Sequence, residues 1–330
     1  MKVVIMAGGF ATRLWPITMT KAKPLLPIGR KTIIDYVYEK TSKFGRVYVS
    51  TNKLFERDFI EWSKGKDVEL IVEQTTKEEE KLGAVRALAE VSKVLKDEML
   101  VVAGDNIFSF ELDGFVRYYR QKRSTVIGLF DVGDFELAKR YGVVDISGER
   151  VLRFYEKPEK PKSTLVGIAL YIFPRDVVDL LQKYISLNRQ HDNLGDFISW
   201  LCTKTDVYGY VFSGIWYDVG NQDSYLEALK FYMEHHVSEN SRVDKISKII
   251  APVVIEDGAE IRGRSIIGPY TYIGRDCIVE NSDVSESVIF NKNVLRNVRI
   301  WRSIVDDDCE IRNLELSNSI VGRHAKIQRG

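Results

Sequence analysis

Short aliphatic and β-branched runs at residues 3–6, 47–51, 68–72 and 99–103 alternate with longer amphipathic stretches at 32–44, 82–95 and 110–122. Unbroken apolar runs of that length read as strands buried on both faces, and the stretches between them are long enough to be crossover helices. Together they predict a doubly wound, Rossmann-like α/β domain built on a parallel sheet. From residue 124 the rhythm shortens, and 125–130, 143–146, 151–155 and 170–173 read as strands between Gly- or Pro-containing turns, an α+β lobe grafted on. Residues 224–236 predict a helix, and the polar, broken stretch 238–247 predicts a linker.

Beyond that stretch Ile255, Ile261, Ile267, Ile273 and Val279 recur at a six-residue step, and Val288, Val294 and Ile300 resume it after a slip. Val305 with Ile311 and Val321 with Ile327 are looser matches. A step of six is neither helical nor a two-residue alternation. It predicts a left-handed parallel β-helix of hexapeptide repeats, each side of a triangular coil turning one aliphatic side chain inward. A plain sandwich of short strands is the competing architecture, and it has no need of a repeat. The expected division is residues 1–238 as an α/β domain and 239–330 as the β-helix, whose faces bearing Ile266, Val288, Ile289 and Trp301 are expected to pair with a second copy in a homo-oligomer.

At 330 residues the chain is long enough for two cores, and 45% hydrophobic with 29% charged residues excludes collagen-like and wholly disordered classes. The 48 Lys+Arg against 47 Asp+Glu leave a net charge of +1, so no global field attracts a nucleic-acid polymer or an anionic membrane. Cys202, Cys277 and Cys309 lack the short spacing of a zinc or redox pair, which fits a reducing cytoplasm. No apolar run approaches membrane-spanning length, and residues 3–7 are too short for a signal-peptide core, so a soluble cytoplasmic chain is expected.

Locally the charge is far from balanced. Residues 1–34 contain no Asp or Glu but carry Lys2, Arg13, Lys21, Lys23, Arg30 and Lys31. Within them Ala7-Gly8-Gly9-Phe10-Ala11-Thr12-Arg13-Leu14 follows the first strand, where glycines let backbone N–H groups close on a phosphate. The same glycine pair also serves, in many proteins, only to pack a helix against a sheet. The strand at 99–103 ends in Gly104-Asp105-Asn106, which places the Asp105 carboxylate at the edge where open α/β sheets collect ligands. Magnesium takes one or two carboxylates plus substrate phosphates, so Asp105 and one further acid suffice.

The run AGGFATRLWPIT followed by KAKPLLPI resembles the signature of the sugar-nucleotide pyrophosphorylases, the NDP-sugar nucleotidyltransferases. That resemblance implies that the loop of Ala7, Gly8, Gly9 and Thr12 wraps a nucleoside triphosphate, that Arg13 holds the leaving pyrophosphate, and that Lys23 contacts phosphate near the reacting centre. It implies Asp218, in Ile-Trp-Tyr-Asp-Val-Gly, as the second Mg2+ ligand beside Asp105, which also faces the nucleotide. Gln74 and Gly83 match the base-reading positions, with a charged insertion at residues 77–81 between them. Tyr141-Gly142-Val143-Val144 and Phe154-Tyr155-Glu156-Lys157-Pro158 resemble the sugar-side motifs, in which Gly142 gives close access, Glu156 accepts sugar hydroxyls and Lys157 grips the sugar phosphate. Residues 166–169 depart from the family, which often has a polar residue and then glycine before the tyrosine strand.

The implied reaction joins a sugar 1-phosphate to a nucleoside triphosphate, giving an NDP-sugar and pyrophosphate. The segments GDNIF and WYD look most like the thymidylyl branch, so glucose 1-phosphate with dTTP or UTP is the expected pair. Guanylyl transfer to mannose 1-phosphate and adenylyl transfer to glucose 1-phosphate stay open. Two other classes compete. Hexapeptide coils also host acyl transfer, but His324 is the sole histidine after the linker and shows no base partner in sequence. A non-catalytic regulatory subunit is opposed by the presence of Arg13, Lys23, Asp105 and Asp218 together. In the polar loop at 191–196 a helix cap at Asn193 or Asp196 is favoured over catalysis by His191.

Overall fold

The structure is a computed structural model describing residues 1–187 and 193–329. His191 lies outside the described residues. The first two thirds of the chain build one mixed sheet from β1 (Lys2–Met6), β2 (Val47–Asn52), β3 (Val68–Glu73), β4 (Met99–Ala103), β6 (Thr125–Asp131), β7 (Gly142–Ser147), β8 (Arg150–Glu156), β9 (Leu165–Phe173) and β10 (Val207–Phe212). A separate two-stranded ribbon pairs β5 (Asn106–Phe108) with β11 (Trp216–Asp218).

The sheet order is β3-β2-β1-β4-β9-β6-β10-β8-β7. The first four strands are parallel, as the apolar runs predicted. The later strands differ from expectation: they form no separate lobe but continue the same sheet, with β9 antiparallel to both β4 and β6. The sequence of β9, LVGIALYIF, is apolar almost throughout, so it can occupy the middle of a sheet covered on both faces. On one face the helix Ala84–Leu95 buries Val85, Leu88 and Val91 against Val4, Val101, Ile127 and Leu129, and the helices Val177–Leu187 and Leu194–Leu201 add Leu181, Tyr184 and Phe197. Each such large apolar side chain contributes about 1.5–3 kcal/mol by leaving water.

The C-terminal part is a stack of parallel strands in three sheets of six, six and five strands, a left-handed β-helix. It begins earlier than expected. The helix Gln222–Tyr232 stops short of the predicted end, and His236–Val237 is already the first strand of the coil. The polar stretch expected as a linker is folded into the first turn, with Arg242–Val243 pairing onto Glu260–Arg262. Its polarity belongs to corners, not to a tether.

Register explains the slip in the repeat. Val237, Ile255 and Ile273 stack at intervals of 18 residues, but Ile273, Ile289, Val305 and Val321 stack at 16. Three hexapeptides per coil give way to coils shorter by two residues, so the inward positions become Ile289 and Leu295 in place of the expected Val288 and Val294. Buried serines close the turns: the hydroxyl of Ser265 accepts the Ser282 N–H at 3.1 Å, and that of Ser287 accepts the Ser303 N–H at 3.0 Å. Such bonds satisfy backbone donors that would otherwise be stranded inside the stack.

Contacts divide the molecule into two compact units. One comprises Met1–Gly9 and Ile34–Asp218; the other comprises Phe10–Ile33 and everything from Val219 onward. The glycine-rich segment is therefore split after Gly9, and its cationic part is compact with the coil.

Candidate active site

In the sheet unit, β1 and β4 are neighbours, so their C-terminal ends open side by side. Ala7, Gly8 and Gly9 leave β1; the Ala7 N–H donates to Ser50 at 2.7 Å, and Asn52, wholly buried, donates its amide to the Gly8 carbonyl at 3.0 Å. Gly104 lies tight against β1: an added Cβ would come within 3.1 Å of Ile5 and 3.2 Å of the Met6 carbonyl. That close approach sets Asp105 beside the mouth of the loop. In the β5–β11 ribbon Asp218 pairs with Asn106, one residue along from Asp105, so two acidic residues more than a hundred apart in sequence lie at neighbouring backbone positions. Among the described residues no group of three or more His, Cys, Asp and Glu could hold a metal. Two hard carboxylates suit a divalent ion that completes its shell with substrate phosphate and water.

Two features beside these carboxylates were invisible in the sequence. Asn106, almost fully buried, donates its amide to the Ile168 carbonyl at 2.9 Å, tying the carboxylate turn to β9. The next residue, Ala169, has φ 50°, where the register of β9 against β6 shifts. A left-handed backbone costs an alanine about 1 kcal/mol or more, and this is the segment that departs from the family's glycine. Second, Glu73 at the end of β3 faces the glycine-rich loop: a Cβ added to Gly8 would lie 3.0 Å from its Oε1, and the Ser50 hydroxyl is 3.5 Å away. Burial pushes its carboxyl up to about 7, with Ser50 opposing weakly.

Of the expected base readers, Gln74 follows β3 and is exposed, its amide 3.4 Å from the Val72 carbonyl. Gly83, at φ 82°, is the N-cap of the helix Ala84–Leu95. The charged insertion between them is ordered by Glu80, which accepts the Thr76 N–H at 3.1 Å and thereby has its carboxyl lowered.

At the positions expected on the sugar side, the space a side chain would take at Gly142 is filled by the Phe154 ring, 2.0 Å from an added Cβ, so what Gly142 has to offer a ligand is backbone. Gly167 and Gly195 crowd the same ring. Burial raises the Glu156 carboxyl, and Lys157 Nζ, 3.7 Å away, partly offsets it. Lys157 is mostly exposed and holds a left-handed backbone at φ 43°. Asn193 caps the helix Leu194–Leu201, accepting the Asp196 N–H at 2.7 Å, as expected.

In the other unit, Thr12 and Arg13 sit on a 3-10 turn, Thr12–Leu14, entered through a left-handed Ala11. The Arg13 guanidinium rests on Gly220, where a Cβ would come within 3.0 Å of Nη2. Lys23 opens a second such turn, Lys23–Leu25, and is 8% exposed. His324, assigned no partner from sequence, has Asp308 at 3.9 Å but is itself 69% exposed.

The model of the nucleotidyl transferase family matches residues 2–235. The chain belongs to that family. A glucose-1-phosphate thymidylyltransferase of Streptomyces griseus is 27% identical over 99% of this chain and 93% of its own length. A Sulfolobus acidocaldarius protein bearing the name mannose-1-phosphate guanyltransferase is 28% identical over 80% of this chain and 73% of its own. A Bacillus anthracis crystal structure, described as a glucose-1-phosphate thymidylyltransferase with sucrose, superposes with a TM-score of 0.64, covering 72% of this chain and 97% of that one at 24% identity, a likeness of fold. The family match makes this chain a nucleotidyl transferase, an enzyme, and no helix among its described residues is long and apolar enough to cross a membrane.

Proposed function

We propose that the enzyme transfers a thymidylyl or uridylyl group to glucose 1-phosphate, releasing pyrophosphate. The observation that supports this reading is the Asp218–Asn106 pairing, a backbone register one residue from Asp105, at the end of the strand next to the glycine loop. The Streptomyces relative, which matches over nearly the whole chain, supports the choice of thymidylyl group and glucose 1-phosphate.

In this reading an oxygen of the sugar phosphate, already ionised at neutral pH, attacks the α-phosphorus; that P–O bond forms as the bond to the β-phosphate breaks, and the electron pair leaves with pyrophosphate. Backbone N–H groups of Gly8 and Gly9 cradle the triphosphate, Arg13 and Lys23 meet the charge on transferring and leaving oxygens, and Lys157 holds the sugar phosphate while Glu156 accepts its hydroxyls. Asp105 and Asp218 would hold Mg2+, which supplies charge neutralisation between the two anions. Gln74 and Gly83 face the base.

Pyrophosphate release over a matrix of nucleoside triphosphates and sugar 1-phosphates tests this, with dTTP or UTP plus glucose 1-phosphate expected fastest. GTP with mannose 1-phosphate outrunning them would favour the second reading, that of the Sulfolobus relative; no release with any pair would remove the proposal. We further propose that the enzyme is a homo-oligomer joined through the coil. Ile289 points into the stack and Val288 is fully buried, so of the four residues expected at that face Ile266 and the 42% exposed Trp301 remain. A monomeric mass by light scattering would refute it.

A further inference from the structure

Residues 10–33 carry Arg13 and Lys23, and four contacts besides that of Arg13 with Gly220 bind them within the unit that contains the coil. Pro16 packs where Gly322 lacks a side chain; a Cβ there would lie 2.8 Å from its ring. The Tyr225 hydroxyl donates to the Pro27 carbonyl at 2.7 Å, and Gly29, at φ 64°, lies 3.3 Å from the Tyr232 carbonyl by the same measure. The fourth contact is ionic: Lys21 Nζ donates to Asp306 and, at 2.6 Å, to Asp307, and sits 5.0 Å from the Phe290 ring centroid.

This pair is enclosed. Asp306 is 1% and Lys21 21% exposed, and the Asp306 Oδ1 that takes the lysine also accepts the Asp307 N–H at 2.8 Å. Its other oxygen is buried and has no hydrogen-bond partner among the described residues, so this carboxylate leans on Lys21. Lys23 is two residues away, on a turn closed by the Leu25 N–H to the Ala22 carbonyl at 2.9 Å. The short span leaves little slack between anchor and cation. In-line transfer is sensitive to placement, with a misfit of about 1 Å costing about a hundredfold.

We propose that Lys21, clasped by Asp306 and Asp307, is a positioning residue that lets the coil fix Arg13 and Lys23 for transfer. The coil then contributes to turnover and not only to assembly. This rests on the proposed transfer reaction, so the test has a second readout independent of activity.

The variants are Lys21→Met, Asp306→Asn and their double, with Lys21→Arg as the conservative control. In Lys21→Met, kcat for pyrophosphate release is expected to fall at least about tenfold while the triphosphate KM changes less than about threefold, and amide exchange across residues 10–33 speeds up. Lys21→Arg is expected to recover most of kcat. The double variant removes the fully buried charge at Asp306 together with Lys21, leaving the carboxylate of Asp307, 15% exposed and still accepting the Asn291 N–H at 2.9 Å, and is expected to regain part of the thermal stability lost in Lys21→Met without regaining kcat; it carries the test should Lys21→Met alone not fold. Turnover within about twofold of wild type in Lys21→Met, or a double variant that recovers both stability and kcat, overturns the proposal. A wild type without pyrophosphate release would sink the transfer reading alone, since loop exchange still reports on the anchor.

Discussion

The sheet and the coil solve burial in opposite ways. In the sheet each core residue meets a different neighbourhood, as where Phe154 fills the gap left by three glycines at positions 142, 167 and 195. In the coil Ile255, Ile273, Ile289 and Val305 occupy one repeated environment, each stacked on its own kind. Irregular packing makes room for a site, because strained or polar groups such as Ala169 and Glu73 can be over-determined by their surroundings. Repetitive packing makes a rigid rod whose special residues lie outside, as Lys21's partners do.

The contrast can be broken in order of expected effect. Asp105→Asn should lower kcat about a thousandfold while leaving the melting curve near that of wild type, since the change is isosteric; steady-state pyrophosphate release and circular dichroism check both. Lys23→Ala should cost about a hundredfold in kcat. For stability, Phe197→Ala in the sheet should cost about 4 kcal/mol and Ile261→Ala in the coil about 3 kcal/mol by urea unfolding, with cooperativity within the coil spread to its nearest turns. Ala169→Gly, relieving a left-handed backbone, should gain about 1 kcal/mol in the same assay.

A separate test lies in pH dependence. With the Glu73 carboxyl raised from 4.5 to about 7 in the folded chain, the native state keeps a proton that the unfolded state has lost. Stability contributed by this group is therefore full below about 4.5, declines as pH rises toward about 7 and stays level beyond. Glu73→Gln should flatten that segment of the stability curve measured by denaturant midpoints.

Fold was legible where pattern alone decides it. The four parallel strands announce themselves as apolar runs, and the coil as a period of six. The period misled at Val288 and Val294 because a coil two residues shorter moves the inward position by one, which a count of apolar residues does not detect when both neighbours are aliphatic. The antiparallel continuation of the sheet was missed because short strands between turns look alike whether they extend a sheet or start another. In the candidate site, strand-end chemistry and resemblance single out Asp105 and Asp218 as candidates, whereas Glu73 was passed over because its environment comes from Gly8 and Ser50, far away in sequence. Lys21 was visible only as part of a charge excess, its partner Asp306 being 285 residues on.

The grip of Asp306 and Asp307 on Lys21 bears on how such enzymes are recombined. A chimaera that exchanged only the coils of two relatives would graft foreign corners beneath a native cationic loop, and the exchange would have to carry residues 10–33 with it for the donor's acids to find their lysine.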